Sequence, residues 1–176
     1  MNIPINRAWA MPDSKTFKIE PIRKLILRRA IGVVIDPFAN ESSIRQFLNC
    51  DKYISNDIDT AFPCDYHLDA LDFLKLFGDG SVDTVLFDPP YSPRQVSECY
   101  KRLDKTVTMS DTNSTFYSRL RAEIIRILRP GGIIISCGWN SNGIGRKYGF
   151  EMLEVLDVAH GGRHNDTLVT AEKRTV

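Results

Sequence analysis

The sequence predicts a doubly wound α/β fold on a mostly parallel sheet, and two observations carry that prediction. Short apolar, β-branched runs alternate with amphipathic helical stretches along the chain, the pattern of parallel strands joined by crossover helices. Four of those runs end in an acid, at Asp36, Asp57, Asp69 and Asp88. Ligands of open α/β sheets bind in the crevice at the carboxyl ends of the strands. Four acids at four such ends therefore point to one site.

Residues 1–18 show no periodicity and read as an irregular lead-in, with Trp9 and Phe17 expected to pack on the core. Glu20-Pro21 opens a helix, because proline is tolerated at the first helical position. Ile22, Leu25 and Ile26 supply its apolar stripe. A strand over Ile31–Ile35 follows and ends at Asp36-Pro37-Phe38-Ala39-Asn40, where Asn40 is the residue most tolerant of left-handed φ. Ser42 or Ser43 is expected to cap a short helix reaching Leu48. Lys52–Asp57 then makes a strand ending in an acid, Asp57, 21 residues after Asp36. Nucleotide-binding α/β units place a ribose-gripping carboxylate at about that distance.

A third strand is expected near Tyr66–Leu68, ending at Asp69. A single strand-terminal aspartate is more often a helix cap than a ligand, but three in succession favour a site. Leu71, Phe73, Leu74 and Phe77 form an amphipathic helix, stopped by Gly78 and Gly80. After the strand Val82–Phe87 comes Asp88-Pro89-Pro90-Tyr91. Residues 92–113 are mostly polar and too long for an ordinary connection. Ser114 starts a helix with Phe116, Leu120, Ile124, Ile127 and Leu128 on one face, and Pro130-Gly131-Gly132 ends it and leads into the strand Ile133–Ser136. The last two strands, Met152–Ala159 and Leu168–Lys173, make a C-terminal hairpin. His160 and His164 lie in its connection, where two intervening glycines argue against a helix and so against a metal site; no metal is expected.

Asp88-Pro89-Pro90-Tyr91 is where chemistry is expected. Two prolines fix φ near −65° and remove two backbone donors, and a residue before proline is pushed to extended geometry. The result is a stiff hook carrying a carboxylate, carbonyls and an aromatic ring. It suits a planar group with an exocyclic amine: Asp88 and the Pro89 carbonyl accept the two amine protons and Tyr91 stacks on the ring.

Composition sets the outer limits. A chain of 176 residues with 43% hydrophobic and 26% charged content is an ordinary single globular domain. Its longest apolar runs fall well short of the roughly 20 residues of a membrane span. Cys50, Cys64, Cys99 and Cys137 are scattered without a Cys-x-x-Cys pair, so a reduced cytoplasm is expected. Formal net charge is +1, yet cations cluster at Lys15–Arg29 and again at Arg94, Lys101, Arg102 and Lys105, a pattern compatible with phosphate contacts.

The hook and its flanks resemble the small orphan DNA adenine-N6 methyltransferases of phages and mobile elements, members of the class I S-adenosylmethionine-dependent superfamily. Ser92–Tyr100 after the hook and Leu128-Arg129-Pro130-Gly131-Gly132 before the fifth strand carry the likeness along the chain. The resemblance implies a three-layer, Rossmann-like seven-stranded sheet and S-adenosylmethionine as cofactor. It further implies that Lys15-Thr16-Phe17 closes over the methionine end, with Asp36 and Phe38 in the cofactor loop. Asp57 then takes the ribose hydroxyls and Asp69 the adenine amine of the cofactor. The loop after Asp36 departs from the family pattern in lacking glycine. The expected activity is methylation of the N6 amine of adenine in DNA, with recognition by Arg94, Lys101, Arg102 and Lys105 and a second subunit on the other side of the duplex. An RNA or cytosine-amine methyltransferase, and a non-catalytic nucleic-acid-binding module, are the alternatives the residues leave open.

Overall fold

The computed structural model describes residues 2–92, 94–95, 97, 114–162 and 164–176. The sheet is built from β1 (Ile5–Trp9), β2 (Val33–Asp36), β3 (Lys52–Ser55), β4 (Val82–Phe87), β5 (Leu128–Gly138), β6 (Phe150–Ala159) and β7 (Thr167–Arg174), in the order β1-β6-β7-β5-β4-β2-β3. β7 is antiparallel to both β5 and β6, and the remaining pairs are parallel. The chain winds outward through β2 and β3 and then returns to lay β4 on the other side of β2. The switch in strand order therefore falls between β2 and β4.

Residues alternate across the sheet as strand geometry requires, and this splits the core into two layers. Val34, Leu86, Ile133 and Ile135 pack on one face beneath Ile22, Leu25 and Ile26 of α1 (Glu20–Arg29). Ile35, Val85 and Ile134 pack on the other beneath Phe73 and Leu74 of α2 (Ala70–Lys75) and Leu120 and Ile124 of α3 (Ser114–Ile127). The sheet lies between helices, as the sequence predicts.

Three local expectations are corrected. Residues 1–18 are not wholly irregular, since Ile5–Trp9 pairs in parallel with Val155–Ala159. Trp9 stays 66% exposed rather than packing on the core, whereas Phe17 is buried. The expected strand near Tyr66–Leu68 shrinks to one bridge between Asn56 and Tyr66, so β1 supplies the seventh strand. An edge strand of three polar-flanked residues has little to pair with once Asn56 has taken both backbone groups of Leu68. The expected helix to Leu48 is a single 3₁₀ turn, Arg45–Phe47, with no side-chain cap.

β5 starts at Leu128, ahead of Pro130-Gly131-Gly132. Leu128 pairs with Val82, and pairing resumes only at Ile133 with Thr84. The intervening residues bulge out, Gly131 at φ 82°. A Cβ on Gly132 would lie 2.9 Å from the Arg129 carbonyl oxygen. The bulge is tolerated because glycine occupies both points.

Glu154, nearly buried on β6, anchors α1 by accepting from Arg28 at 2.5 Å and from Arg29 at 2.5 and 3.1 Å. Burial alone would raise its carboxyl, yet the two guanidinia hold it below the usual range. Its stabilisation is present above the unfolded-state value and lost as pH falls through the folded one. Glu154→Gln is expected to cost about 1.5–3 kcal/mol in urea unfolding at pH 7, the range for hydrogen bonds to charged groups. Unchanged stability would mean that helix docking rests on the apolar contacts of α1 alone.

Candidate active site

The β2–β4 register pairs Ile35 with Val85, which sets Asp36 and Asp88 at adjoining strand ends across the switch point. Asp36 is fully buried. The Tyr53 hydroxyl donates to Oδ2 at 2.9 Å and the Phe38 N–H to Oδ1 at 3.2 Å. Burial dominates and pushes its carboxyl up to about 8, with the negative charges of Asp88 and Asp57 adding to the rise. Asp36 thus lies beneath the crevice surface and orders the loop above it. Phe38, half-buried, meets Phe87 edge to face at 5.9 Å.

Two residues of that loop carry positive φ, Asn40 at 52° and Ser42 at 51°. Asn40 does what glycine does elsewhere, and its N–H donates to Asp57 Oδ2 at 3.0 Å. Asp57 Oδ1 accepts from the Asp59 N–H at 2.9 Å. Asp57 is half-buried at the end of the β3 segment, where two loops converge. Asp69 caps α2 by accepting the Leu71 N–H at 2.9 Å.

Asn56 organises this corner and carries no signal in the sequence beyond its place beside Asp57. Its side chain donates to the Pro37 and Leu68 carbonyls at 3.1 and 3.0 Å and accepts from the Leu68 N–H at 2.9 Å. One buried amide therefore ties together the ends of three segments.

The hook projects from the carboxyl end of β4. The Tyr91 hydroxyl donates to Asp88 Oδ1, and the Tyr117 hydroxyl of α3 donates to the Pro90 carbonyl. Gln95 accepts from the Tyr91 N–H at 2.6 Å. Pro89, between Asp88 and Pro90, lines the cleft described next. Burial pushes the Asp88 carboxyl upward, against hydrogen bonds from Thr16 and Tyr91. Burial, and after it the nearby Asp88 carboxylate, push the Tyr91 phenol well above its usual value. Thr16 is thus brought to the hook, while Phe17 beside it is a core residue.

On the β5 side of the hook a cleft of about 320 Å³ opens. Phe87, Pro89, Tyr91, Tyr117, Trp139 and Thr170 are among the residues that line it. The position of Trp139 one residue past a strand end is the signal that also marks the acids. Tyr117 and Thr170 reach the cleft only through packing. Of the residues expected to touch nucleic acid, Arg94 is exposed in a helical segment beside the hook. Lys101, Arg102 and Lys105 lie outside the described residues. His160 is buried between the Ala10 carbonyl and the Thr167 hydroxyl, both at 2.9 Å, and ties the N-terminal segment to β7. No described helix is long and apolar enough to cross a membrane.

No protein-family model matches the chain, and no curated protein does. Solved structures do. TrmN from Thermus thermophilus superposes with a TM-score of 0.60 at 16% identity, over 89% of this chain and 49% of that one. The N-methyltransferase NodS from Bradyrhizobium japonicum gives 0.58 at 11% identity, over 94% and 100%. The 1,6-didemethyltoxoflavin-N1-methyltransferase of Burkholderia thailandensis, solved with S-adenosylhomocysteine, gives 0.56 at 14% identity, over 82% and 71%. The chain spans about half the length of the Thermus protein. Its fold is the Rossmann-like fold of these methyltransferases.

Proposed function

We propose that this chain, built on a methyltransferase fold, transfers the methyl group of S-adenosylmethionine to the exocyclic N6 amine of adenine in DNA. The observation that carries the proposal is the hook. Asp88-Pro89-Pro90-Tyr91 stands at the switch point, where Pro89 and Tyr91 line an aromatic cleft and the Tyr91 hydroxyl donates to the Asp88 carboxylate behind it.

The residues present fit the cofactor. Asp57 and Asp88 stand at the carboxyl-end crevice of the sheet, with Asp36 buried beneath it and ordering the loop above. Asp57 and Asp69 would hold the nucleoside half, with Thr16 and Phe38 near the methionine half. The sulfonium supplies an activated methyl group. The neighbour solved with S-adenosylhomocysteine supports the same reading.

An adenine amine is a poor nucleophile because its lone pair is delocalised into the ring. Accepting both amine protons, at Asp88 and at the Pro89 carbonyl, favours a pyramidal nitrogen with the lone pair directed outward. The gain comes from positioning and from stabilising the positive charge that develops on nitrogen. Asp88 holds the cationic product until its proton leaves. In a duplex the base must first leave the stack, at a cost of a few kcal/mol.

Incubation with labelled S-adenosylmethionine and either DNA or RNA, followed by mass spectrometry of the nucleosides, tests the proposal. N6-methyladenine in DNA is the expected product; label in RNA, in cytosine or nowhere overturns it. Asp57→Ala is expected to weaken S-adenosylhomocysteine binding by about 1.5–3 kcal/mol, the worth of charged hydrogen bonds, in calorimetry. Unaltered affinity would place the ribose elsewhere.

Recognition is assigned to Arg94, Lys101, Arg102 and Lys105, with a second subunit on the far side of the duplex. Neutralising Lys101, Arg102 and Lys105 together is expected to weaken DNA binding. The salt slope should flatten by about one unit per lost phosphate contact. A triple variant with the parent's slope would shift recognition to another surface, the basic α1 first.

A further inference from the structure

The cleft beside the hook holds more structure than the proposed chemistry has used. Register pairs Phe87 with Ser136, so Trp139 lies beyond the end of β5 as the hook lies beyond the end of β4. Trp139 lines the cleft and is 45% exposed, so its ring is accessible from the cleft. It meets the Tyr91 ring edge to face, with centroids 5.6 Å apart and planes at 67°. Tyr91 in turn donates its hydroxyl to Asp88. The carboxylate that a target amine needs is therefore already engaged by a phenol, whose ring leans on the tryptophan.

Two further features mark this cleft as a ligand site. At its lining the Thr170 hydroxyl is buried without a hydrogen-bond partner among the described residues. Buried hydroxyls are normally paired. The loop that closes the cleft is also built rigid. Glu172 accepts from the Ile144 and Gly145 N–H groups at 2.6 and 2.9 Å. A Cβ on Gly143 would lie 2.2 Å from that carboxylate. Gly143 and Ile144 themselves line the cleft. At about 320 Å³ the cleft is at the small end of ligand sites, suited to a single heteroaromatic group rather than a peptide or an acyl chain. The acids proposed for the cofactor lie on the β2–β3 side of β4, so the cleft is left for the acceptor.

We infer that Trp139 is the stacking wall of the acceptor site, holding the target nucleobase in the cleft after its amine has replaced the Tyr91 hydroxyl on Asp88. This rests on the reading of the protein as an adenine-amine methyltransferase. It adds a residue on β5 that the hook motif does not contain. In this arrangement the amine takes the Asp88 oxygen that the Tyr91 hydroxyl now occupies, and the Tyr91 ring turns away from Asp88 as the base enters. Its edge contact with Trp139 is then exchanged for stacking of the base.

The chain has two tryptophans, so Trp9→Phe leaves Trp139 as a single fluorescent reporter. With S-adenosylhomocysteine bound, that protein is titrated with a single-stranded oligodeoxynucleotide holding one adenine, and with the same strand abasic at that position. Quenching by the adenine strand alone is expected; equal responses overturn the inference. Trp139→Ala is expected to raise KM for DNA roughly 5- to 150-fold, the base-stacking range of about 1–3 kcal/mol. S-adenosylhomocysteine affinity should stay within twofold, and Trp139→Phe should recover most of the loss. An alanine variant with the parent's KM and normal S-adenosylhomocysteine binding overturns the role of Trp139 and leaves the methyltransferase reading intact. Absence of S-adenosylhomocysteine binding by the unmodified protein overturns that reading, and the inference with it.

Discussion

Asp88→Ala is expected to lower the rate of methyl transfer at least about 10³-fold, a loss near 4 kcal/mol of transition-state stabilisation. The carboxylate is the hook's one charged acceptor, and it faces the atom on which positive charge grows. Asp88 is half-buried, where such stabilisation is stronger than in open solvent. S-adenosylhomocysteine affinity should change no more than a few-fold, because its nucleoside half is assigned to Asp57 and Asp69. Asp88→Asn separates charge from geometry. It keeps one oxygen for the Tyr91 hydroxyl or the target amine, so it should bind DNA nearly as the parent does while still transferring slowly. Single-turnover kinetics with pre-bound cofactor reads the chemical step directly. Near-normal turnover by the alanine variant would remove Asp88 from the mechanism.

The second large effect concerns stability. Asp36 is fully buried with a carboxyl at about 8, against 3.8 for an ordinary aspartate. A folded value above the unfolded one means its contribution is fully present below about pH 4 and is lost as pH rises toward 8. Within that window the loss is about 1.4 kcal/mol per pH unit, and above 8 the curve flattens. Asp36→Asn keeps the shape of the side chain, leaves an oxygen for the Phe38 N–H and removes the need to take up a proton on folding. It is expected to be more stable than the parent by about 2–4 kcal/mol at pH 7. Urea unfolding at pH 5, 6, 7 and 8 should show the gap widening with pH. Asp88 and Glu172 are raised as well and slope the parent in the same sense, so the difference between parent and variant isolates Asp36. Asp83 and Glu154 are lowered and lose their contribution only in acid, outside this range. Parallel curves for the two proteins would show that Asp36 folds as an ordinary ionised group.

Much of the molecule is determined by local pattern. The alternation of Val34 and Ile35, of Val85 and Leu86, and of Ile133 and Ile134 fixes which side chain enters which layer, because successive residues on a strand face opposite ways. Pro21 sets the start of α1 and the two prolines of the hook set its stiffness, since both act through their own φ. Asn40 takes the left-handed conformation expected of it, again a property of one residue. The acids at strand ends are readable for the same reason: a strand's end lies where its apolar run stops.

What pattern does not carry is pairing between distant segments. Ile5–Trp9 has no strong signature and becomes a strand because the edge of β6 offers it partners. Tyr66–Leu68 has a better signature and forms only a bridge, because Asn56 takes the backbone groups of Leu68. The sequence alone determined the layers, the hook and the acids Asp36 and Asp88 at the ends of β2 and β4; Asp69, expected at a strand end, caps α2 instead. Only the tertiary structure decided that Asp36 is buried while Asp57 stays half-exposed, that Phe17 is core while Thr16 reaches Asp88, and that Tyr91, Tyr117, Trp139 and Thr170 share one cleft. Burial and proximity are relations between chain segments far apart in sequence, and they come into being only when the sheet order brings β4, β5 and β7 side by side.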